Sequence, residues 1–210
     1  MHLNAILAGS AQPIASKSGK TGFFKRPLEG PQRITSTGLS GDAIVDTDNH
    51  GGRDQAIYLM GSVDYDHWRT ALGRPLFAGA FGENLVIDGW SSASAAVGDR
   101  FRFGGCEIEL TAPRIPCVTL AEVMKDRLFP KRFFAEGHPG AYARVLTSGS
   151  TQVGDTVVVT PFNDGPRVTM TTLLSATANK FNDPALLADL ARVPAHHLLT
   201  RMAHEAVNRT

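Results

Sequence analysis

Arg100-Phe101-Arg102-Phe103-Gly104-Gly105-Cys106-Glu107-Ile108-Glu109-Leu110-Thr111-Ala112-Pro113 decides the class of this fold. Residues 100–103 and 107–111 carry the aromatic and branched side chains that favour strands, and a glycine pair parts them. Counting by twos from Phe101 to Leu110 puts Arg102, Gly104, Cys106, Ile108 and Leu110 on one face, so Cys106 is expected to point into an apolar interior. The same texture extends in both directions. Further strands are expected at residues 3–8, 20–25, 55–60, 84–87, 141–147 and 156–160. Most of the 21 glycines and 12 prolines fall before residue 166 and punctuate these runs, which predicts a mostly β barrel. Two helices should interrupt it. One spans 62–72, with Ser62 able to cap and Val63, His67 and Trp68 at helical spacing; the other spans 119–128, with Thr119 and Glu122 as a capping box.

Composition changes after Pro161. Phe162-Asn163-Asp164-Gly165-Pro166 reads as a linker turn, and the sequence beyond it is helix-forming and nearly free of glycine. A first helix is expected over 168–180. Asp183 can cap a second with Pro184 at its first position, and Val193-Pro194 opens a third running toward Val207, with Leu198, Leu199, Met202 and Ala206 on its apolar face. The expected domains are 1–162 and 167–210. The second is too small to stand alone and should pack on the first.

A net charge of +1 gives no global reason to bind nucleic acid or a membrane surface. Two cysteines exclude a disulfide framework and a four-cysteine zinc or iron–sulfur site drawn from this chain alone. The opening residues lack a secretory pattern and no apolar run is long enough to span a bilayer, so a reduced, cytoplasmic protein is expected.

Three clusters carry chemistry. Pro113-Arg114-Ile115-Pro116-Cys117 holds a thiol on a loop that two prolines stiffen, beside a guanidinium that favours thiolate; this suits a soft-metal ligand or a nucleophile, and an inert buried thiol is the alternative. His50-Gly51-Gly52-Arg53-Asp54 could form an anion-binding nest flanked by His50 and Arg53, or a plain β-turn. Phe81-Gly82-Glu83-Asn84-Leu85 sets a carboxylate and an amide before a strand, where Asn84 could bond a heterocycle or its own backbone. Ser18-Gly19-Lys20-Thr21 resembles the end of a phosphate loop but fails, because Ile14 stands where its first glycine belongs and no helix can follow. His196, His197 and His204 read as a solvated helix face.

The ordered series Gly38-Leu39-Ser40-Gly41-Asp42, His50-Gly51-Gly52, Gly79 to Leu85, Val97-Gly98-Asp99, Pro113 to Cys117, Arg144-Val145-Leu146 and Val153-Gly154-Asp155 resembles the MOSC family, most of all its YiiM-type branch. The likeness covers roughly residues 1 to 162, and the tail resembles that branch's three-helix extension. It implies a barrel related to the inserted β-barrel of pyruvate kinase and a molybdenum cofactor (molybdopterin) whose metal is bound by Cys117. Arg114, Arg144 and the Gly51-Gly52 turn would then meet the pterin phosphate, with Arg53 and Asn84 also counted as cofactor-binding. Gln55 and Thr119 stand where the family often has lysine, and Ala141 where it has tryptophan.

The activity this implies is reduction of N-hydroxylated compounds such as hydroxylaminopurines or amidoximes, with Cys117 holding the metal and His50 or Glu83 relaying protons. Electrons would come from a separate reductase, because no flavin or iron–sulfur segment is present. The alternative is a sulfur carrier in which Cys117 bears a persulfide for metal–sulfur cluster assembly. No pyridoxal-phosphate domain fits in this length. The expected partners are a small-molecule substrate and that reductase, with no nucleic-acid polymer and no membrane, and with a homodimer left open.

Overall fold

The computed structural model describes residues 1–15, 19–47 and 51–207. In chain order the strands are β1 (Leu3–Ala8), β2 (Gln12–Pro13), β3 (Lys20–Thr21), β4 (Arg26–Pro27), β5 (Gln32–Thr35), β6 (Gly38–Leu39), β7 (Ile57–Gly61), β8 (Leu85–Ile87), β9 (Arg100–Phe103), β10 (Cys106–Pro113), β11 (Ala141–Thr147), β12 (Gly149–Thr151) and β13 (Val158–Thr160). The helices are α1 (Ser62–Leu72), α2 (Val118–Met124), α3 (Phe129–Glu136), α4 (Met170–Ala178), α5 (Pro184–Leu190) and α6 (His197–Val207).

The main sheet runs β13-β9-β10-β11-β7-β8-β1-β4. Its neighbours are antiparallel apart from β7 and β8, which run parallel because α1 and the loop after it carry the chain back to the same end. The sheet curls until β1 meets the segment leading into β13. His2 and Thr156 form an isolated bridge there. Leu3 and Val157 donate their N–H groups to Asp155 and Met1 at 2.9 Å, and Gly154 donates to Leu3 at 2.8 Å. The expected barrel is thus a curled mixed sheet, joined at this seam by one bridge and not by a continuous ladder.

Alternation along β7 divides the interior in two. Ile57 and Leu59 join a large aliphatic core with Ile6, Leu85, Phe101 and Ile108, and this core continues into Met170 and Leu173 of α4, Leu190 of α5 and Ala203 of α6. Tyr58 and Met60 face the other way, into an aromatic core with Tyr65, Trp68, Phe81, Phe129, Phe133 and Tyr142. Trp68 stacks on Phe133 at 5.4 Å and tilts against Phe81 at 5.5 Å; such pairs add about 0.5–1.5 kcal/mol beyond their burial.

Several sequence expectations need correction. Cys106 points inward with Ile108 and Leu110, as expected, but Phe101 and Phe103 are the buried residues of β9 while Arg102 is exposed. The turn at Gly104-Gly105 resets the alternation between the two strands. Residues 20–25 are not one strand: Gly22 packs so tightly against the next loop that a Cβ would lie 1.8 Å from the Ala43 carbonyl, and the chain bends there. Ser62 does not cap α1; the Asp64 carboxylate accepts the Gly61 N–H at 3.0 Å, and the helix buries Tyr65 and Trp68 while Val63 is exposed. His67 stacks on His138 at 3.9 Å and meets Glu136 at 2.7 Å. Helix α2 starts at Val118 with Cys117 as its N-cap, and Glu122 accepts the Ala15 N–H instead of closing a capping box. The unexpected helix is α3.

In the tail, Thr169 caps α4 by accepting from Thr172, and Asp183 caps α5 with Pro184 at its first position. Helix α6 begins at His197, later than expected, and its buried face centres on Ala203 while Leu198 is exposed. No helix among the described residues is long and apolar enough to cross a membrane.

Candidate functional site

A cleft of about 740 Å³, counting its open mouth, lies where the aromatic core reaches the surface. Strand β10 ends at Pro113 and delivers Arg114 into it, the Ile115-Pro116 step turns the chain, and Cys117 follows at the head of α2. Cys117 is half-buried and lines the cleft with Arg114, Tyr58, Tyr142 and Thr119. An Arg114 NH group points at Cys117 Sγ from 3.9 Å. Arg114 is 5% exposed, and its guanidinium lies 5.0 Å from the Tyr58 ring centre and 5.4 Å from that of Phe23. Its Nε has no hydrogen-bond partner among the described residues. A buried cationic group with an unused donor is costly unless a ligand meets it.

The opposite wall brings residues that the sequence reading overlooked. Lys25 is half-buried, with its side chain 9% exposed and ion-paired with Asp42. Burial pushes the Lys25 pKa below the ordinary lysine value while Asp42 pulls it back. Asp42 also accepts the Gly9 N–H and the Asn84 side-chain N–H, both at 2.8 Å. Asn84 is therefore a bolt: its Oδ1 accepts from Tyr58 N at 3.1 Å, and its Nδ2 is held by Asp42 and the Leu7 carbonyl. Its side chain borders the cleft with its polar atoms already engaged. No sequence signal marked Lys25, since its partner lies 17 residues on across two turns.

The other expected site residues divide. Gly51 lines the cleft with φ +80°, and a Cβ there would press Ile44 at 3.0 Å. Gly52 and Arg53 are exposed beyond the lining, and His50 lies outside the described residues. Glu83 is fully buried behind the wall. It accepts from Tyr65 Oη, from Gly79 N at 2.6 Å and from Phe81 N at 3.1 Å, which fixes the turn over 79–83, and it is not among the residues that line the cleft. Burial raises the Glu83 pKa, with those donors pulling against it. A raised folded value means that its contribution to stability is present below the ordinary glutamate range and is lost as pH rises through the folded value. Glu83→Gln, neutral throughout, is expected to flatten the fall in Tm just above that range; a pH profile identical to the parent's would contradict this.

Arg144 is not in the cleft either. Its Nε lies 3.0 Å from Asp54 Oδ1, an ion pair without hydrogen-bond alignment, and its other nitrogens reach Glu109 at 3.6 Å and the Pro194 and Ala195 carbonyls at 3.0 and 2.7 Å. It ties the tail to the sheet. Arg144→Gln is expected to destabilise the fold by about 3–5 kcal/mol, because it strands buried carboxylates, while leaving ligand binding in the cleft intact; urea melts beside cofactor content test both halves.

His197 and His204 are exposed, as expected of a solvated face, but His196 is buried. Asp54 Oδ2 accepts the His197 backbone N–H at 2.8 Å and contacts its Nδ1 at 2.9 Å, while buried His196 accepts the Leu198 N–H on Nδ1. Burial works to raise the Asp54 pKa, but the His197 bonds and Arg144 outweigh it and hold the carboxyl below its ordinary value. Ligand atoms of Asp54, His196 and His197 lie within 4.8 Å of one another, and Asp54 and His196 also accept backbone N–H groups at the start of α6. With its proton on Nε2, His196 faces Gln55 Nε2 at 3.4 Å, and exchanging the Gln55 amide atoms would satisfy its otherwise unpartnered Oε1.

A family model described as the MOSC domain matches residues 46–158. Protein YiiM of Escherichia coli is 36% identical over 99 residues, covering 46% of this chain and 44% of its own. A protein named reductase from Gibberella moniliformis is 30% identical over 190 residues, covering 87% of this chain and 33% of its own. The chain spans less than two thirds of the curated relatives it matches. The crystal structure of YiiM from Geobacillus stearothermophilus superposes with a TM-score of 0.79 over 98% of both chains at 24% identity, which shows the shared fold.

Proposed function

This chain belongs to the MOSC domain family, in its YiiM-type branch, and from that premise we propose that it is a molybdenum-cofactor reductase of N-hydroxylated compounds. The observation that carries this reading is the pairing, in one cleft, of the Cys117 thiol with the buried, incompletely bonded Arg114 guanidinium. A thiolate suits a soft metal and a guanidinium suits an anionic group on the same ligand. Cys117 would hold the metal; Arg114 and Lys25 would meet the anionic part, with Lys25 supplying charge that Gln55 and Thr119 do not. The bound cofactor supplies a two-electron redox centre. The protein's own share is to exclude water through Phe23, Tyr58 and Tyr142 and to hold the thiol at the head of α2.

The relative named reductase supports a redox role. Electrons would come from a separate reductase, in the cytoplasm, and the curled sheet is read as the MOSC barrel of residues 1–162 with residues 167–210 as its helical extension. Expression with molybdate, followed by metal and pterin analysis and an assay with an artificial electron donor on a hydroxylaminopurine and an amidoxime, tests the proposal. About one molybdenum per chain together with turnover supports it. Labile sulfane sulfur on metal-free, folded protein would replace it with a sulfur carrier.

A further inference from the structure

We infer that the Tyr142 hydroxyl donates the proton to the oxygen that leaves an N-hydroxylated substrate. This rests on the reductase reading and supplies the acid which that reading lacks. The chain has three tyrosines. Tyr58 commits its hydroxyl to the Pro139 carbonyl at 2.8 Å and Tyr65 commits its own to Glu83. Tyr142, 8% exposed and lining the cleft, has no hydroxyl partner among the described residues. Its ring is set by Tyr58, 5.1 Å away on the neighbouring strand.

The surroundings suit an acid. Burial raises the Tyr142 pKa, which keeps the phenol protonated at neutral pH, and the Arg114 charge acts in the opposite direction, toward the phenolate that donation would leave. Cys117 is close enough for its charge to act on the same hydroxyl. The other acidic groups described around the cleft are engaged, Asp42 with Lys25 and Asp46 with contacts of its own, while Glu83 lies behind the wall. In the net reaction the N–O bond breaks as two electrons arrive from the external reductase. Tyr142 protonates the departing hydroxyl, which leaves as water; nitrogen takes the second proton from solvent, and solvent reprotonates the phenolate.

Tyr142→Phe, loaded with cofactor, is expected to keep the parent's molybdenum and pterin content and a KM within about threefold, while kcat falls roughly 100-fold or more. A fluorinated tyrosine with a more acidic phenol, placed at 142, should move the basic limb of kcat to lower pH, and its fluorine resonance should shift when an amidoxime is added to the oxidised protein. A kcat for Tyr142→Phe within about threefold of the parent, or loss of cofactor from the folded variant, overturns the assignment alone. A fully loaded parent that reduces no N-hydroxylated compound overturns the reductase reading and this inference with it.

Discussion

Cys117→Ala, expressed with molybdate, is expected to fold normally and to lose molybdenum, whereas Cys106→Ala keeps it. The two thiols share one chain and differ in where they point. Cys106 is 1% exposed in the aliphatic core, packed among Phe103, Ile108 and Val157, and its removal should cost about 1 kcal/mol of stability with no effect in the cleft. Cys117 opens onto the cleft beside Arg114. Losing even an outer-shell partner lowers metal affinity roughly 10–100-fold, so losing the ligand itself should reduce bound molybdenum by more than that. Equal metal on equal amounts of folded Cys117→Ala and Cys106→Ala protein would remove the assignment.

Deleting residues 162–210 is expected to abolish cooperative folding of what remains. Met170, Leu173, Leu190 and Ala203 are fully buried in the same core as the sheet. Val97 and Met170 also donate backbone N–H groups across the boundary, to Val168 and Ala95 at 2.9 and 2.8 Å. Each large aliphatic side chain removed from a core costs about 2–5 kcal/mol. Three of them approach or exceed the 5–15 kcal/mol that typically holds a domain together. Circular dichroism during a urea titration tests this. A sharp transition from the 1–161 fragment, with molybdenum retained, would mark the helices as dispensable. Leu198→Asp, on the exposed side of α6, serves as the control that should leave the melt unchanged.

What the sequence disclosed follows from how local each signal is. Strands β1, β9 and β11 are legible because a glycine borders each short run of branched or aromatic side chains. Helix α3 was missed because Pro130 looks like a breaker, although proline in the first turn of a helix removes no bond. Cys117 stood out because its loop chemistry is contiguous. Arg144 misled for a geometric reason: it sits two residues beyond Tyr142 on the same strand, about 7 Å along, and there Asp54 and Glu109 capture it. Lys25, His196 and the engagement of Asn84 depend on partners from 17 to 141 residues away, which no local pattern records.

The seam between β1 and residues 154–157 sets a timetable for biosynthesis. Leu3 leaves the ribosome about 150 positions ahead of Gly154 and Asp155, which complete its bonding. At roughly 5–20 residues per second, that interval is on the order of 10 to 30 s. Throughout it the apolar β1 edge has no neighbour on that side, and the core beneath it stays open until Leu190 and Ala203 have also emerged. Until those segments have emerged, this edge and the core under it stay exposed, so the growing chain should need protection from aggregation over that interval.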